Sequence, residues 1–381
     1  MTRKVARTTS RGPSRPLYRR LARRLLLTAL LCLVVVATAT AGFIGVQCTG
    51  RGTGGKAPDA AGPTAIEGYA RPEAFTFLTL PEWFIVYSAD EYGRFIQDRS
   101  PSDFPYLSSI GEYWGYYGTV CRVTREAYPF ETGYHVMLGV IGASFTIENA
   151  VKSAYENTAG RLSAWLSGRD TPEDRFAAET AAEYGTFMHT TPWYEFPFAS
   201  RLGRLWTEVP ATGPHVLRKW ERRVALTAEY GTKALYGGVI ALATRGAYAP
   251  EDLTVHATVE HAEARALLAV PRVEHVRDDG GGVHVIRLPR YEAFTAAALA
   301  VLGAGARFRE VAGNDEILIT AVGPSGLGER AFGAGTVLAV RPILTEPARA
   351  RVVLRVPVAQ LHRSVPELTG AGAAIERLYD Y

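Results

Sequence analysis

Charged side chains at helical spacing are the first candidates for chemistry in this chain of 381 residues. Glu148, Lys152 and Glu156 recur at every fourth position, which places them on one face of a helix. A Glu–Lys–Glu row of this kind is typical of salt bridges exposed to water. The same residue types would also suit general acid and base catalysis, so Glu148 is a catalytic candidate.

Two other carboxylates and one histidine extend this set. Glu82 lies in the cluster Leu80-Pro81-Glu82-Trp83-Phe84, and Glu195 lies in a proline-bounded loop, 189–198. If a pocket forms, we expect Glu82 and Glu195 to be its carboxylate pair. His135, in an apolar helix, could be a ligand or a general base, although a hydrogen-bonded core histidine is the commoner case. The catalytic candidates are therefore Glu82, His135, Glu148 and Glu195.

Aromatic residues give a second kind of candidate, for contact with a ligand or a surface. The loop 189–198 is rich in rings, and such a loop either caps a core or lines a pocket or a membrane surface. We expect core capping or binding from the following residues: Trp83, His189, Trp193, Tyr194 and Trp220.

Metal and cofactor motifs are absent from the sequence. There is no HExxH, GxSxG, P-loop, CxxC or dinucleotide fingerprint, and the eight histidines are scattered. Adjacent pairs such as Glu274-His275 direct their side chains apart. We therefore expect no cofactor and no metal site.

Residues 73–249 must form the elements that position these candidates, and their patterns predict an irregular helical bundle. Ser88 to Glu91 resembles a capping box that opens a short helix to Asp98. Residues 134–166 contain no proline and are expected to form one long helix. Thr171-Pro172-Glu173-Asp174 is a second helix start, with an end near His189. A last helix is expected over 214–248. All six tryptophans lie in this region.

Beyond Pro250 the period of the apolar residues changes from helical to alternating. Residues 253–260 predict a half-buried strand, amphipathic helices are expected over 290–302 and 358–369, and 374–379 predicts a closing strand. Residues 250–381 are thus predicted to form an α+β domain, resembling the ferredoxin-like split βαβ unit with an extra hairpin.

The N-terminal region predicts a membrane location. Residues 25–46 are an uncharged run of 22, preceded by nine Arg or Lys residues and no acid in 1–24. By the positive-inside rule the tail stays cytoplasmic and the rest is exported, as a single-pass protein of the cytoplasmic membrane with a flexible linker at 47–72. Ala39-Thr40-Ala41 also fits a signal-peptidase site, so a cleaved signal is the alternative to a retained anchor.

Two later segments raise the question of further membrane spans. Residues 134–147 are too few, and 224–248 contain Glu229, Lys233 and Arg245, so core helices explain both segments better. The alternative is a three-span protein in which the basic residues of 218–223 are a cytoplasmic flank. Cys48 and Cys121 could pair after export, but two free thiols are the expected state.

Charge bears on the partners. Nine of the 42 basic residues lie in the tail, so the remainder of the chain is mildly acidic. The tail therefore reports topology, and we expect no nucleic acid partner.

A family resemblance adds to this interpretation. It rests on LPEWFIVYSADEY (80–92), SIGEYW (109–114), GYHVML (133–138), YENTAGR (155–161), PWYEF (192–196) and RKWERR (218–223). These segments resemble signatures of a family of uncharacterised bacterial proteins with an N-terminal membrane segment. The resemblance covers most of 75–380 and implies no activity.

Together these features predict an envelope protein that binds or scaffolds an apolar ligand, a membrane lipid surface or an envelope protein. The alternative is an enzyme with an acid/base or metal pocket in the helical domain.

Overall fold

The computed structural model describes residues 17–50, 73–127, 130–243, 254–261, 264–330, 332–333 and 335–379. It is a mixed helix-and-sheet structure, with helices first and sheets after them. The predicted linker and the boundary near Pro250 lie mostly outside the described residues. The helices are α1 (Leu17–Phe43), α2 (Glu73–Phe95), α3 (Tyr106–Ala127), α4 (Thr132–Tyr155), α5 (Arg161–Ser167), α6 (Pro172–Met188), α7 (Phe198–Thr207), α8 (Val216–Ala243), α9 (Ala264–Leu268), α10 (Glu292–Gly303) and α11 (Leu361–Gly370).

The apolar helix α1 ends inside the folded body. Its last turn passes into a π-helical turn, Ile44–Cys48, and Phe43 packs edge-on against Trp114 of α3 at 4.9 Å between ring centroids. Cys48 and Cys121 are both buried and form a disulfide. The prediction of two free thiols is therefore wrong, because the π turn brings Cys48 directly onto α3.

Local capping signals predict the start of one helix correctly and the start of another wrongly. The Thr171 hydroxyl accepts from the Asp174 backbone N–H at 3.2 Å, and the Asp174 carboxylate accepts from Thr171 N–H at 3.1 Å, which confirms the predicted start of α6. The predicted start at Ser88 is wrong. α2 runs through Pro81 and Ser88, and the Ser88 hydroxyl instead bonds the Ser109 hydroxyl at 2.9 Å.

The long helix expected over 134–166 is present with one interruption. A π-helical turn, Glu156–Gly160, joins α4 to α5 without a break in the helical path. Such turns shift the register of the side chains that follow, and they are often retained at functional positions. Here the turn buries Glu156, which is 8% exposed.

Two glycines allow α2 and α6 to cross closely. A Cβ at Gly93 would lie 2.7 Å from the Ala181 carbonyl oxygen, and a Cβ at Gly185 would lie 2.8 Å from the Asp90 Cα. Both contacts are with backbone, so only glycine fits without movement of a helix. This crossing forms one wall of the helical core.

Among the described residues, eight strands follow and form two antiparallel sheets with the same order of strands. The strands are β1 (Thr254–Glu260), β2 (Glu274–Gly280), β3 (Val283–Pro289), β4 (Arg307–Val311), β5 (Glu316–Pro324), β6 (Thr336–Ile343), β7 (Glu346–Pro357) and β8 (Ala374–Leu378). The first sheet has the order β2-β3-β1-β4 and the second β6-β7-β5-β8. The sequence predicted one unit with an extra hairpin, whereas the strands divide into two units of four.

The second sheet is buried on both faces and joins the two halves of the molecule. Ile319 and Leu354 face a core shared with the first sheet, whereas Leu318 and Val353 pack into the helical core with Tyr116. Because successive strand residues point to opposite faces, an unbroken apolar run here serves two cores.

Candidate functional site

A cavity of about 90 Å³ lies at the centre of the helical bundle, between α2, α4, α6 and α8. Its wall is mainly aromatic and aliphatic, and four charged side chains interrupt it. The lining includes Tyr92, Tyr106, Phe145, Tyr184, Phe198 and Tyr230. A small apolar chamber with convergent polar groups is the usual form of a ligand site, which makes it the leading candidate.

The four charged residues form a closed quartet of two acids and two bases. Lys152 Nζ lies 3.1 Å from Glu148 Oε1 and 2.8 Å from Glu229 Oε1. Lys233 Nζ lies 2.9 Å from Glu148 Oε1 and 3.3 Å from Glu229 Oε1. Each ammonium therefore contacts both carboxylates, and the quartet has no net charge.

Helical spacing places the quartet. Glu148 and Lys152 are one turn apart on α4, and Glu229 and Lys233 are one turn apart on α8. The side chains are 14–41% exposed. Glu148 retains the most accessible surface of the four, and its side chain lines the cavity.

The quartet holds its members as ions. Burial raises the pKa of Glu148, but the neighbouring ammonium groups of Lys233 and Lys152 outweigh it, so the pKa lies below its ordinary value. The pKa of Glu229 is lowered in the same way. Burial lowers the pKa of Lys152, but the carboxylates of Glu229 and Glu148 raise it by more. The pKa of Lys152 therefore lies above its ordinary value.

Aromatic rings complete the surroundings of the two ammonium groups. Lys152 Nζ lies 5.1 Å from the centre of the Tyr92 ring, and Lys233 Nζ lies 4.9 Å from that of Tyr184 and 5.2 Å from that of Phe198. Ring faces attract cations and compensate in part for lost hydration. The site is thus suited to hold fixed charges and gives little support to proton transfer near neutral pH, which requires a group with a pKa near 7.

A second ionic cluster lies where α8 begins, and it argues against the three-span alternative. Arg218, Lys219, Arg222 and Arg223 are each 1–3% exposed. Arg218 binds Asp174 at 2.7 Å, Arg222 binds Glu156 at 2.8 Å, and Arg223 binds Glu173 at 2.7 Å. These bases are paired inside the protein, so they do not form an exposed cytoplasmic flank.

Gly160 explains part of this arrangement. Its carbonyl accepts from Arg218 at 3.0 Å. A Cβ there would lie 3.2 Å from Arg222 and closer still to the Glu156 carboxylate. The predicted Glu148–Lys152–Glu156 row therefore divides, because Glu148 and Lys152 join the cavity quartet whereas Glu156 joins the cluster at the start of α8.

The other catalytic candidates lie outside the cavity. His135 is 3% exposed, its Nδ1 lies 3.1 Å from the Tyr117 hydroxyl, and burial lowers its pKa. It lies near the sulfurs of Cys48 and Cys121, which are bonded to each other. Glu82 is half-buried. Burial raises the pKa of Tyr113, and the charge of Glu82 adds to this rise. Glu195 is exposed.

The aromatic candidates mostly make structural contacts. The Arg377 guanidinium lies 3.2 Å from the centre of the Trp83 ring. His189 lies between Asp90 and Glu292, at 3.9 and 3.8 Å.

The remaining three aromatic candidates either contact α8 or belong to it. The Trp193 ring lies tilted against that of Tyr236, at 5.5 Å between centroids. A Cβ on Gly237 would lie 3.2 Å from the backbone of Tyr194. Trp220 is 44% exposed and meets Trp206 at 6.1 Å.

Sequence reasoning missed Glu229, Lys233, Tyr92 and Tyr184 as site residues. From the sequence alone, Glu229 and Lys233 are recognised only as charges that oppose membrane insertion. Their spacing matches that of Glu148 and Lys152, and two such pairs in the otherwise uncharged stretches 136–154 and 224–242 are the signal that could have revealed the site.

Comparison with known proteins gives no relative for this chain. No protein-family model, no curated protein and no solved structure matches it.

Proposed function

We propose that this protein is a membrane-anchored scaffold that lies against lipid through one side of its helical bundle and holds its double-sheet domain at a fixed place on the membrane surface. The described part of the chain contains one helix that is long and apolar enough to cross a membrane, Leu30–Cys48. A signal sequence would pass the same test.

The observation that carries the proposal is where α4 touches that helix. A Cβ on Gly139 would lie 3.0 Å from Thr40 and 2.9 Å from Ile44. Thr40 and Ile44 lie within the apolar stretch Leu30–Cys48. If this stretch is inserted over its full length, the N-terminal half of α4 is at membrane depth as well.

The outer faces of α4 and α8 support contact with lipid. Between Val136 and Ala154, and between Val224 and Leu242, every exposed residue is uncharged. The only charged residues in these two stretches are the four members of the internal quartet. Several of the outward side chains are more than half exposed: Val136, Val140, Val151, Leu235, Val239 and Leu242. Inward pairing of charges behind an apolar exterior is typical of helices in lipid.

The same contacts favour a retained anchor over a cleaved signal. Thr40, Phe43 and Ile44 pack against the bundle, and cleavage near Ala41 would remove part of that packing. A disulfide at Cys48 suits an oxidising compartment, which together with the basic tail supports an extracytoplasmic body.

The scaffold role rests on continuity of packing. Phe43, Ile44 and Cys48 belong to the same core as Leu318, Val353 and Tyr379 of the second sheet region. We infer that each half of the C-terminal domain is a ferredoxin-like unit, since both sheets have the strand order of that split βαβ topology. Anchor, bundle and sheets would then move together, and an envelope protein that binds the sheets would be held near the lipid.

Lipid contact can be tested with spin labels in nanodiscs made of phosphatidylethanolamine and phosphatidylglycerol. In a Cys32→Ser background, a nitroxide is placed at Val140→Cys or Val239→Cys, with Arg349→Cys on the exposed part of β7 as the matched control. We expect the two helix labels to collide more with dissolved oxygen and less with a water-soluble relaxation agent than the control does. Helix labels as accessible to water as the control would exclude the proposal.

A further inference from the structure

Three potential metal ligands meet on the hairpin of β2 and β3, at one edge of the first sheet. They are His275 and Asp278 on β2 and His284 on β3. His275 Nε2 lies 2.8 Å and His284 Nδ1 lies 2.6 Å from the same oxygen of Asp278, Oδ1. The three ligand atoms all lie within 4.8 Å of one another.

A β-bulge brings these residues to one face. His275 pairs with Ile286 and Asp278 pairs with His284, with a register shift between His275 and Arg277. Positions 284 and 286 lie on the same face of β3, and paired residues share a face. Without the extra residue, His275 and Asp278 would point to opposite sides of the sheet.

The donor set has a defined metal preference. Two imidazole nitrogens and one carboxylate oxygen suit Zn²⁺, Ni²⁺, Co²⁺ and Cu²⁺, with bonds of about 2.0–2.2 Å. Ligand atoms around one such ion are roughly 3–4 Å apart. The two N–O distances, 2.8 and 2.6 Å, would have to widen to roughly 3–4 Å for an ion to lie between these atoms.

Two arginines flank this set of ligands. Arg277 binds Asp279 at 2.7 Å, and Arg287 binds Glu274 at 3.0 Å, so the flanking cations are paired with other acids. The side chain of Asp278 is 62% exposed, that of His275 21% and that of His284 11%. An ion could therefore enter from solvent, and one side would stay open to water.

We propose that His275, Asp278 and His284 bind one divalent transition-metal ion of the Zn²⁺ class, with coordination positions left for water or for a donor group of a partner. The ion would tie the exposed edge strand β2 to β3. Motifs and spacing along the chain do not indicate this site, because its third ligand, His284, comes from the other strand of the hairpin.

The test uses the full chain in detergent, purified without a polyhistidine tag and stripped with a chelator. Calorimetry with Zn²⁺ and visible spectra with Co²⁺ measure binding in the wild type and in His275→Ala, Asp278→Asn and His284→Ala. The control is His261→Ala, an exposed histidine that follows β1 in the same sheet. We expect one ion per chain, at least tenfold weaker binding in each site variant, and no change in the control.

A second readout is independent of how well the variants fold. Amide hydrogen exchange of β2 in the wild type is measured with and without Zn²⁺, and we expect slower exchange when the ion is present. No stoichiometric binding by the wild type, or binding that persists in Asp278→Asn and His275→Ala, would overturn the proposal.

Discussion

The quartet around the cavity couples four side chains so closely that the loss of one affects the other three. Lys233 contacts both Glu148 and Glu229, and its side chain is 14% exposed. The change Lys233→Met would leave two carboxylates facing one remaining ammonium, in a site with limited access to water. An unpaired charge in such a place costs more than the original pair contributed.

We expect Lys233→Met to lower the free energy of unfolding by about 1–3 kcal/mol, measured by denaturant titration in micelles. The double variant Lys233→Met/Glu148→Gln restores the balance of charge, so its cost should be smaller than the sum of the two single changes. Additive costs would show that the four residues do not act as a unit.

The quartet also limits the pH range in which it stabilises the fold. The pKa values of Glu148 and Glu229 are lowered in the folded state, so their contribution is present above the unfolded value, about 4.3, and lost as the pH falls through the folded value. The pKa of Lys152 is raised, so its contribution is present below about 10.4 and lost as the pH rises through the folded value. Between these limits the quartet adds no pH dependence.

His189, by contrast, is expected to respond near neutral pH. The Glu292 carboxylate, 3.8 Å from its Nδ1, raises its pKa against the effect of burial, and the charge of Asp90 adds to this rise. The stabilisation is complete below about 6.5 and is lost as the pH rises through the raised folded-state pKa. From pH 6 to pH 8.5 the wild type should lose a few tenths to 1 kcal/mol relative to His189→Gln. Thermal unfolding in both buffers measures this. Equal pH profiles would contradict the assignment.

At the scale of elements, the contact between α1 and α4 depends on the absence of a side chain. The atoms facing Gly139 are the tip of Ile44 and the methyl group of Thr40. A small rotation could admit one methyl group, but a leucine side chain cannot enter without separating the helices. Gly111 on α3 has no atom within 4 Å of a Cβ position and provides a matched control.

We expect Gly139→Leu to move the end of α1 away from the bundle and to hinder pairing of Cys48 with Cys121. Thiol labelling under denaturing conditions, in a Cys32→Ser background, measures the reduced fraction. Gly111→Leu should remain oxidised, although it makes the same change in helix propensity. If both variants are oxidised to the same extent, Gly139 does not govern how the anchor is placed.

Elements whose signals are local were predictable from sequence, and those set by distant partners were not. The capping of α6 uses two residues three positions apart, and the sequence identified it. Ser88 carries the same kind of signal, but its hydroxyl is taken by Ser109, twenty-one residues away. A local pattern records what a side chain can do, and tertiary contacts decide what it does.

The same reason explains the site. Glu148 was selected from its spacing with Lys152, and that pair forms. Glu229 and Lys233 come from a helix some eighty residues later, and no spacing rule indicates that α8 packs antiparallel to α4. The row 218–223 was similarly open to a wrong interpretation, because a cluster of bases in sequence does not show the acids that neutralise it in space.

At the scale of the whole molecule, Arg351 is one of the buried arginines at which the helical bundle and the second sheet meet. Arg351 of β7 binds Glu91 of α2 at 3.0 Å and Glu376 of β8 at 2.6 Å, and its guanidinium lies 4.4 Å from the centre of the Tyr87 ring. Arg351 and Glu91 are each about 5% exposed. Burial already raises the pKa of Glu91, and Arg351 opposes that rise.

We expect Arg351→Met to cost about 3–5 kcal/mol of unfolding free energy, because it leaves Glu91 buried without its cation. Arg349→Met, which removes an exposed pair with Glu346 on the same strand, should cost less than about 1 kcal/mol. The pair of changes Arg351→Met/Glu91→Met replaces both partners with apolar groups, so part of the loss should be recovered.

The position of Arg351 also makes its loss a test of cooperativity. All six tryptophans lie in the helical part, so their fluorescence follows the bundle and, through Trp83 against Arg377, its contact with β8, whereas amide exchange in β5 and β7 follows the second sheet. In the wild type the shared core should give coincident transitions by the two probes. In Arg351→Met we expect them to separate, with one half unfolding at lower denaturant than the other. Transitions that still coincide, at a lower midpoint, would show that apolar packing of Leu318 and Val353 against the helices is sufficient to couple the two halves.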